Sequence, residues 1–345
     1  MDIPVIDVAS VNSQTGRELV DAAEKYGFIF IKNRGLDIST SEVDRIFELS
    51  RKFFSSPQEE KAQCRITPDN KGWSAMHREI LDQGNQVKGD FKEAFNFGDF
   101  ISGRAQQPLP PALVPHEEEL SHFASACRDV CMKILRLFAL GLEIEPSEGG
   151  EDWFSTRHDI STGEPTGSIL RLLHYPPLPP SVTYDPTTDI RAGAHSDYGS
   201  ITLLFQRPGQ PGLEILTPDD PPKWAPVPVS PEGTESDAGL PILVNIGDML
   251  SDWTEGLLKS TVHRVVFPTP SKSENGTTGP EKGFKDRYSI AYFFHPLDST
   301  PLVAVPSERV KRRSEEKQTS KAGKVLTAKE HLEKRLAATY GWEKK

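Results

Sequence analysis

Apolar and polar residues follow two different rhythms along this chain. Over the first 60 residues the rhythm predicts strand, helix, strand, helix. Ile3–Val8 is a short apolar run broken by Pro4. Glu18–Tyr26 carries Leu19, Val20 and Ala23 at helical spacing, and Gly27–Lys32 reads as a buried strand. Val43, Ile46, Phe47, Leu49, Phe53 and Phe54 make a helical face, and Ser39 and Glu42 stand before it in a capping-box pattern. Residues 66–115 are loop-rich, with a tight element at Gly72-Trp73, a strand pattern over Phe91–Asp99 and a proline-rich connection from Pro108 to Pro115. Glu117–Leu142 predicts one long amphipathic helix, with Gly141 and Pro146 as its stop signals.

From Ser168 the rhythm shortens. Ile169–His174, Ala192–Asp197, Ile201–Phe205, Leu213–Leu216, Ile242–Ile246, Thr261–Val266 and Tyr288–Phe294 are brief strand-like runs separated by Pro and Gly. Many short strands of this kind predict a sandwich or barrel. Residues 269–286 are Ser/Gly/Lys-rich and read as a flexible loop. Residues 306–324 are charged and poorly apolar, so a mobile segment is expected there. Thr327 and Glu330 form a second capping box before a final helix, Ala328–Thr339. The expected class is therefore α+β with a mainly β core, divided into residues 1–115, a long helix over 116–150, a β domain over 165–305, and a tail over 306–345.

Charge narrows the partners. Forty Lys and Arg against fifty Asp and Glu give a formal charge of −10, and the basic stripe that nucleic acid or an anionic membrane needs is absent. Arg309-Val-Lys-Arg-Arg313 is basic, but Glu315 and Glu316 follow it, so it reads as solvated surface. Cys64, Cys127 and Cys131 make neither an even disulfide framework nor a zinc-type spacing. The N-terminus lacks the basic and apolar regions of a secretory signal, and no apolar run is long enough to span a bilayer. A cytoplasmic protein acting on a small molecule is expected; the pattern does not set its oligomeric state.

The candidate chemistry starts at Arg191-Ala-Gly-Ala-His195-Ser-Asp197. On a strand, residues two apart share a face, so this imidazole and this carboxylate converge. His263, in another strand-like run, can supply a second imidazole. Two His and one carboxylate leave half of an octahedral metal's positions open, the facial arrangement of non-haem Fe(II) oxygenases. Arg287 and Ser289 share a face by the same rule, and a guanidinium beside a hydroxyl is a receptor for a carboxylate. Taken alone each feature is weak; a lone His-x-Asp or a lone Arg is more often structural.

Together these motifs resemble the Fe(II)- and 2-oxoglutarate-dependent dioxygenases, in the isopenicillin N synthase-like branch. Ile3-Pro-Val-Ile-Asp7, Tyr26–Asn33 and Phe53–Lys61 are similar to that branch's N-terminal region, which would span 1–115. Within the branch, Leu170–Pro176, Arg191–Gln206, Lys259–Val266, Arg287–Phe293 and Arg335–Tyr340 are similar to fungal thymine dioxygenase-type proteins. The resemblance implies a double-stranded β-helix (jelly roll) with flanking helices. It implies that His195, Asp197 and His263 bind Fe(II), and that Arg287, Ser289 and Tyr175 hold 2-oxoglutarate. It further implies that O2 and 2-oxoglutarate are consumed, with release of succinate and CO2, as a substrate C–H bond is oxidised. Arg191, Phe293, Asn70 and Trp73 are candidate substrate contacts: Arg191 by strand parity with His195, Phe293 by parity with Arg287. A pyrimidine, another heteroaromatic or a fungal secondary metabolite is the expected substrate class. The residues leave two other readings open, a non-haem iron oxidase of the same branch that uses no 2-oxoglutarate, and a non-catalytic jelly-roll binding protein.

Overall fold

The computed structural model describes residues 2–35, 37–178, 185, 189–234, 237–268, 285–317 and 324–341. In chain order the elements are β1 (Val5–Ile6), α1 (Ser13–Tyr26), β2 (Phe28–Ile31), α2 (Thr40–Phe54), α3 (Gln58–Ala62), β3 (Gly72–Ser74), β4 (Glu93–Phe97) and α4 (Glu117–Gly141). β5 (Ile169–Tyr175), β6 (Ala192–His195), β7 (Ile201–Phe205), β8 (Leu213–Leu216), β9 (Trp224–Pro226) and β10 (Ile242–Ile246) follow. The chain continues with α5 (Asp248–Trp253), β11 (His263–Val265), β12 (Arg287–Phe294), α6 (Glu308–Lys317) and α7 (Ala328–Tyr340).

Local chemistry sets most of these boundaries. The Asn12 side chain accepts from the Thr15 N–H, so α1 begins at Ser13, earlier than the apolar spacing alone predicts. Ser39 with Glu42 and Thr327 with Glu330 both form complete capping boxes at the starts of α2 and α7. Three glutamates occupy the first turn of α4, where the helix dipole favours negative charge. α1 and α4 cross at Gly16 and Gly141, where a Cβ would stand 2.5 Å from the Leu137 carbonyl oxygen and 2.1 Å from that of Gly16. Only hydrogens at both positions allow so close an approach. Cys127 and Cys131 lie fully buried on the packed face of α4 as free thiols.

Two sheets form the core. The larger has the order β1-β2-β10-β7-β12-β5-β4-β3 and the smaller β6-β11-β8-β9. Strands from the first hundred residues thus lie at both edges of the large sheet, and among the described residues they form no separate sheet. One apolar layer joins the outer face of the large sheet to α1, α2 and α4. A second, smaller layer lies between the sheets, with Phe28, Phe30, Leu173 and Leu243 facing Ala192, Leu213, Ile215 and Val265. The site opens inside this second layer.

Three expectations change. Ile3–Val8 shrinks to Val5–Ile6, because Pro4 has no N–H to give to a ladder. The short, half-buried, Pro-ended β9 has no alternating pattern to mark it. Part of the segment expected to be mobile is the helix α6: Val310 is buried, and Arg309 reaches Asp21 at 3.0 Å and Glu24 at 3.1 Å on α1. Arg309 docks on two α1 carboxylates, with Val310 as an apolar anchor, while Lys311 and Arg312 are exposed. The loop expected at 269–286 lies outside the described residues, except for Lys285 and Asp286. Among the described residues no helix is long and apolar enough to cross a membrane.

Candidate active site

His195 ends β6 and His263 begins β11, and the two are directly paired across the ladder. Their rings lie 4.3 Å apart, centroid to centroid. Asp197 follows in the turn after β6, so its convergence comes from the chain reversing, not from strand alternation. Its Oδ1 is 3.8 Å from His195 Nε2 and 3.7 Å from His263 Nε2. One ligand atom from each of the three lies within 4.8 Å of the others, the arrangement of a metal cradle.

The cradle is oriented from behind. His195 Nδ1 donates to the Gly193 carbonyl at 2.7 Å and His263 Nδ1 to that of Thr261 at 3.2 Å, which turns both Nε2 lone pairs inward. Asp197 Oδ2 accepts from Thr202 Oγ1 at 2.6 Å and Asn245 Nδ2 at 2.7 Å, leaving Oδ1 for the imidazoles. Burial opposes ionisation of Asp197, but the His263 and His195 rings and these two hydrogen bonds outweigh it and lower its pKa. Burial, reinforced by His263, pushes the His195 imidazole down, so it presents a free lone pair.

Arg287, Ser289, Ala291 and Phe293 form the inward row of β12 and all line the chamber. Arg287 is 1% exposed. It donates from Nη1 to Ser289 Oγ at 3.3 Å, from Nη2 to Gln206 Oε1 at 3.3 Å and from Nε to the Gln210 carbonyl at 3.2 Å. Tyr175, its cross-strand partner, lies beneath the guanidinium, 4.9 Å from ring centroid to Cζ. Among the described residues no carboxylate pairs with Arg287. Burial pushes its pKa down, and Tyr175 partly offsets this. A buried cation without an anion is costly, so the donor set fits an acidic ligand.

The continuation of this wall along the large sheet was not foreseen. Glu79, Lys92 and Arg171 all line the chamber. Glu79 is bonded by Arg171, lies 3.1 Å from Lys92 Nζ and accepts from Tyr340 Oη at 2.9 Å. Lys92 also contacts Asp90, which accepts from the Gly193 N–H at 3.0 Å and so touches the strand that bears His195. Burial opposes ionisation of Glu79, but Arg171 and Lys92 hold its carboxyl far below the ordinary range. Arg171 stands on β5 in alternation with Leu173 and Tyr175, a parity signal that could have identified it. Asn245, the one polar residue in an apolar strand, was likewise readable. Nothing local marks Glu79, Lys92 or Tyr340.

The four substrate candidates divide. Phe293 and Asn70 line the chamber. Asn70 holds a left-handed φ of 64°, and its Oδ1 accepts from Asn96 Nδ2 at 3.0 Å. Arg191 does not reach the chamber. A two-residue step on β11 spans three residues of β6, a bulge that pairs Val265 with Ala192 and puts Ala192, not Arg191, beside His195. Arg191 packs behind the strand, donating to the Lys285 carbonyl at 2.6 Å with its Cζ 4.6 Å from the Phe267 ring centroid. Trp73 also lies outside: it is 3% exposed and donates from Nε1 to Glu93 at 2.9 Å within the helix-side core.

Comparison with known proteins follows the same lines. Residues 3–118 match the family described as "non-haem dioxygenase in morphine synthesis N-terminal", and residues 166–296 match the 2OG-Fe(II) oxygenase superfamily. A 2-oxoglutarate-dependent dioxygenase of Aspergillus rugulosus is 30% identical over 94% of this chain and 93% of its own length. A 2-oxoglutarate-Fe(II) type oxidoreductase of Metarhizium rileyi is 32% identical over 94% of this chain and 86% of its own. The structure of the full-length Neurospora crassa thymine hydroxylase in complex with alpha-KG and 5-formyluracil superposes with a TM-score of 0.75, at 29% identity, covering 98% of this chain and 96% of that one.

Proposed function

The chain belongs to the Fe(II)- and 2-oxoglutarate-dependent oxygenase family, and from that premise we propose that it oxidises a C–H bond of a small, flat, hydrogen-bonding substrate, releasing succinate and CO2. In this reading His195, Asp197 and His263 hold Fe(II), while Arg287, Ser289 and Tyr175 receive the distal carboxylate of 2-oxoglutarate. Arg287 carries the reading: a fully buried guanidinium with no carboxylate partner among the described residues, in one chamber with a two-His, one-carboxylate cradle.

The iron, when bound, supplies the activation of O2 that is coupled to decarboxylation of the co-substrate. The residues do the rest. The Gly193 and Thr261 carbonyls fix the histidine tautomers, and Thr202 with Asn245 fixes the carboxylate. Arg171 Nε is buried without an acceptor among the described residues and can donate to a substrate carbonyl. Asn70 offers an amide whose oxygen is already engaged, and Phe293 offers a flat face. The Tyr198 hydroxyl is shared with Thr339, so this residue presents its ring more than its oxygen. Donors beside aromatic surfaces suit a planar heterocycle bearing carbonyls. The Neurospora crassa neighbour, solved with thymine and with 5-formyluracil, supports a pyrimidine-type ring.

The test is succinate release from Fe(II)-loaded protein with 2-oxoglutarate and a panel of thymine, uracil and 5-substituted uracils. At least one should raise succinate above the substrate-free rate with an equimolar oxidised product, and Asp197→Ala should abolish it. A panel with no effect, beside turnover of a non-planar compound, would contradict the substrate class. Product formed without 2-oxoglutarate would contradict the reaction.

A further inference from the structure

Arg335 on the C-terminal helix α7 touches the segment that carries His195 and Asp197 directly, and reaches the segment that carries His263 through Asp248. Its Nη2 donates to Ser196 Oγ at 3.2 Å and to the Ser196 carbonyl at 3.4 Å, and Ser196 stands between His195 and Asp197. Its Cζ lies 4.6 Å from the ring centroid of Tyr198, the residue after Asp197. The same Nη2 is 3.3 Å from Asp248 Oδ2. Asp248 in turn donates its backbone N–H to the Asp197 carbonyl at 2.8 Å and accepts from Ser260 Oγ at 2.6 Å. Ser260 leads into Thr261, whose carbonyl orients His263.

We infer that Arg335 is a positioning residue for the metal cradle, acting through Ser196 and Asp248 on both ligand-bearing segments. Helix docking alone would not require this. α7 is already held by Leu336, Thr339 and Tyr340, which are buried, and by the Tyr340 hydroxyl on Glu79. Lys329 gives it a further contact, 3.8 Å from Asp298, away from the cradle. Arg335 differs in bonding Ser196, the residue between His195 and Asp197. Asp248 receives a second basic neighbour from the same helix, His331 Nε2 at 4.0 Å. Groups that orient metal ligands from outside typically change metal affinity roughly 10- to 100-fold when removed.

The inference rests on the metal reading above. Its test is anaerobic Co(II) titration of the full-length protein, followed by visible absorption, with thermal melts of the metal-free forms alongside. Arg335→Ala should weaken Co(II) binding about tenfold or more, Arg335→Lys less, and Lys329→Ala by less than twofold. The metal-free melts of Arg335→Ala and Lys329→Ala should agree. Arg335→Ala with Co(II) affinity within twofold of wild type, whatever its melt, would overturn the inference. Should Arg335→Ala not fold, Ser196→Ala carries the test with the same twofold criterion. A wild-type protein that binds no Co(II) would defeat this inference and the metal reading together.

Discussion

Glu79 offers the sharpest energetic test, because it is 3% exposed and shares a buried cluster with Lys92, Asp90 and Arg171. The four groups comprise two anions and two cations, so the wall is neutral as built. Glu79→Gln keeps the shape and an acceptor for Tyr340, but leaves two buried cations facing one anion. Removing one partner of a buried ion pair costs about 3–5 kcal/mol, whereas replacing both with neutral groups of similar volume is often nearly neutral. Lys92→Met should cost a similar amount by leaving two anions facing Arg171. In the double variant Asp90 and Arg171 still balance, and Asp90 keeps the Gln86 amide at 2.7 Å and the Gly193 N–H at 3.0 Å. The double variant should therefore be more stable than the sum of the two losses by at least about 2 kcal/mol. Urea unfolding of the four proteins at pH 7 measures this. Single variants within about 1 kcal/mol of wild type, or strict additivity in the double, would refute the charge-balance reasoning.

Arg287→Ala should raise the KM for 2-oxoglutarate roughly 10- to 100-fold, the equivalent of losing a hydrogen bond to a charged group; a KM within twofold in a succinate assay would remove it from the co-substrate site. Burial lowers the pKa of His158 to about 4 and of His295 to about 3. Below the ordinary histidine value of about 6.5 the unfolded chain binds protons that the folded chain refuses, so stability should fall as pH drops from 6.5 toward 5, by up to about 1.4 kcal/mol per pH unit for each histidine. Urea midpoints that stay flat over this range would contradict it, and His158→Gln should reduce the slope.

What was legible in the sequence shares a physical character: it is local. Capping boxes announced α2 and α7, and the apolar stripe with Gly141 bounded α4 to within a residue. His195 and Asp197 lie close enough in sequence that either a strand or a turn brings them together. Parity along the unbroken β12 placed Phe293 in the chamber with Arg287. The same parity misplaced Arg191, because a bulge is one extra residue that no alternation pattern reveals. Trp73 looked like a pocket aromatic, but its indole N–H is engaged by Glu93, a partner twenty positions on. Glu79, Lys92, Arg171 and Tyr340 meet only through the large sheet and the return of α7, and Arg309 finds its acidic partners on α1, far away in sequence.

The central claim is that one chamber holds iron on His195, Asp197 and His263 and 2-oxoglutarate against Arg287. Anaerobic addition of 2-oxoglutarate to the Fe(II)-loaded protein tests it most directly, followed by visible absorption. A charge-transfer band should appear and saturate with one equivalent of co-substrate, vanish in Asp197→Ala, and require much more 2-oxoglutarate in Arg287→Ala. A band that survives unchanged in both variants, or none at all with iron demonstrably bound, would contradict the account.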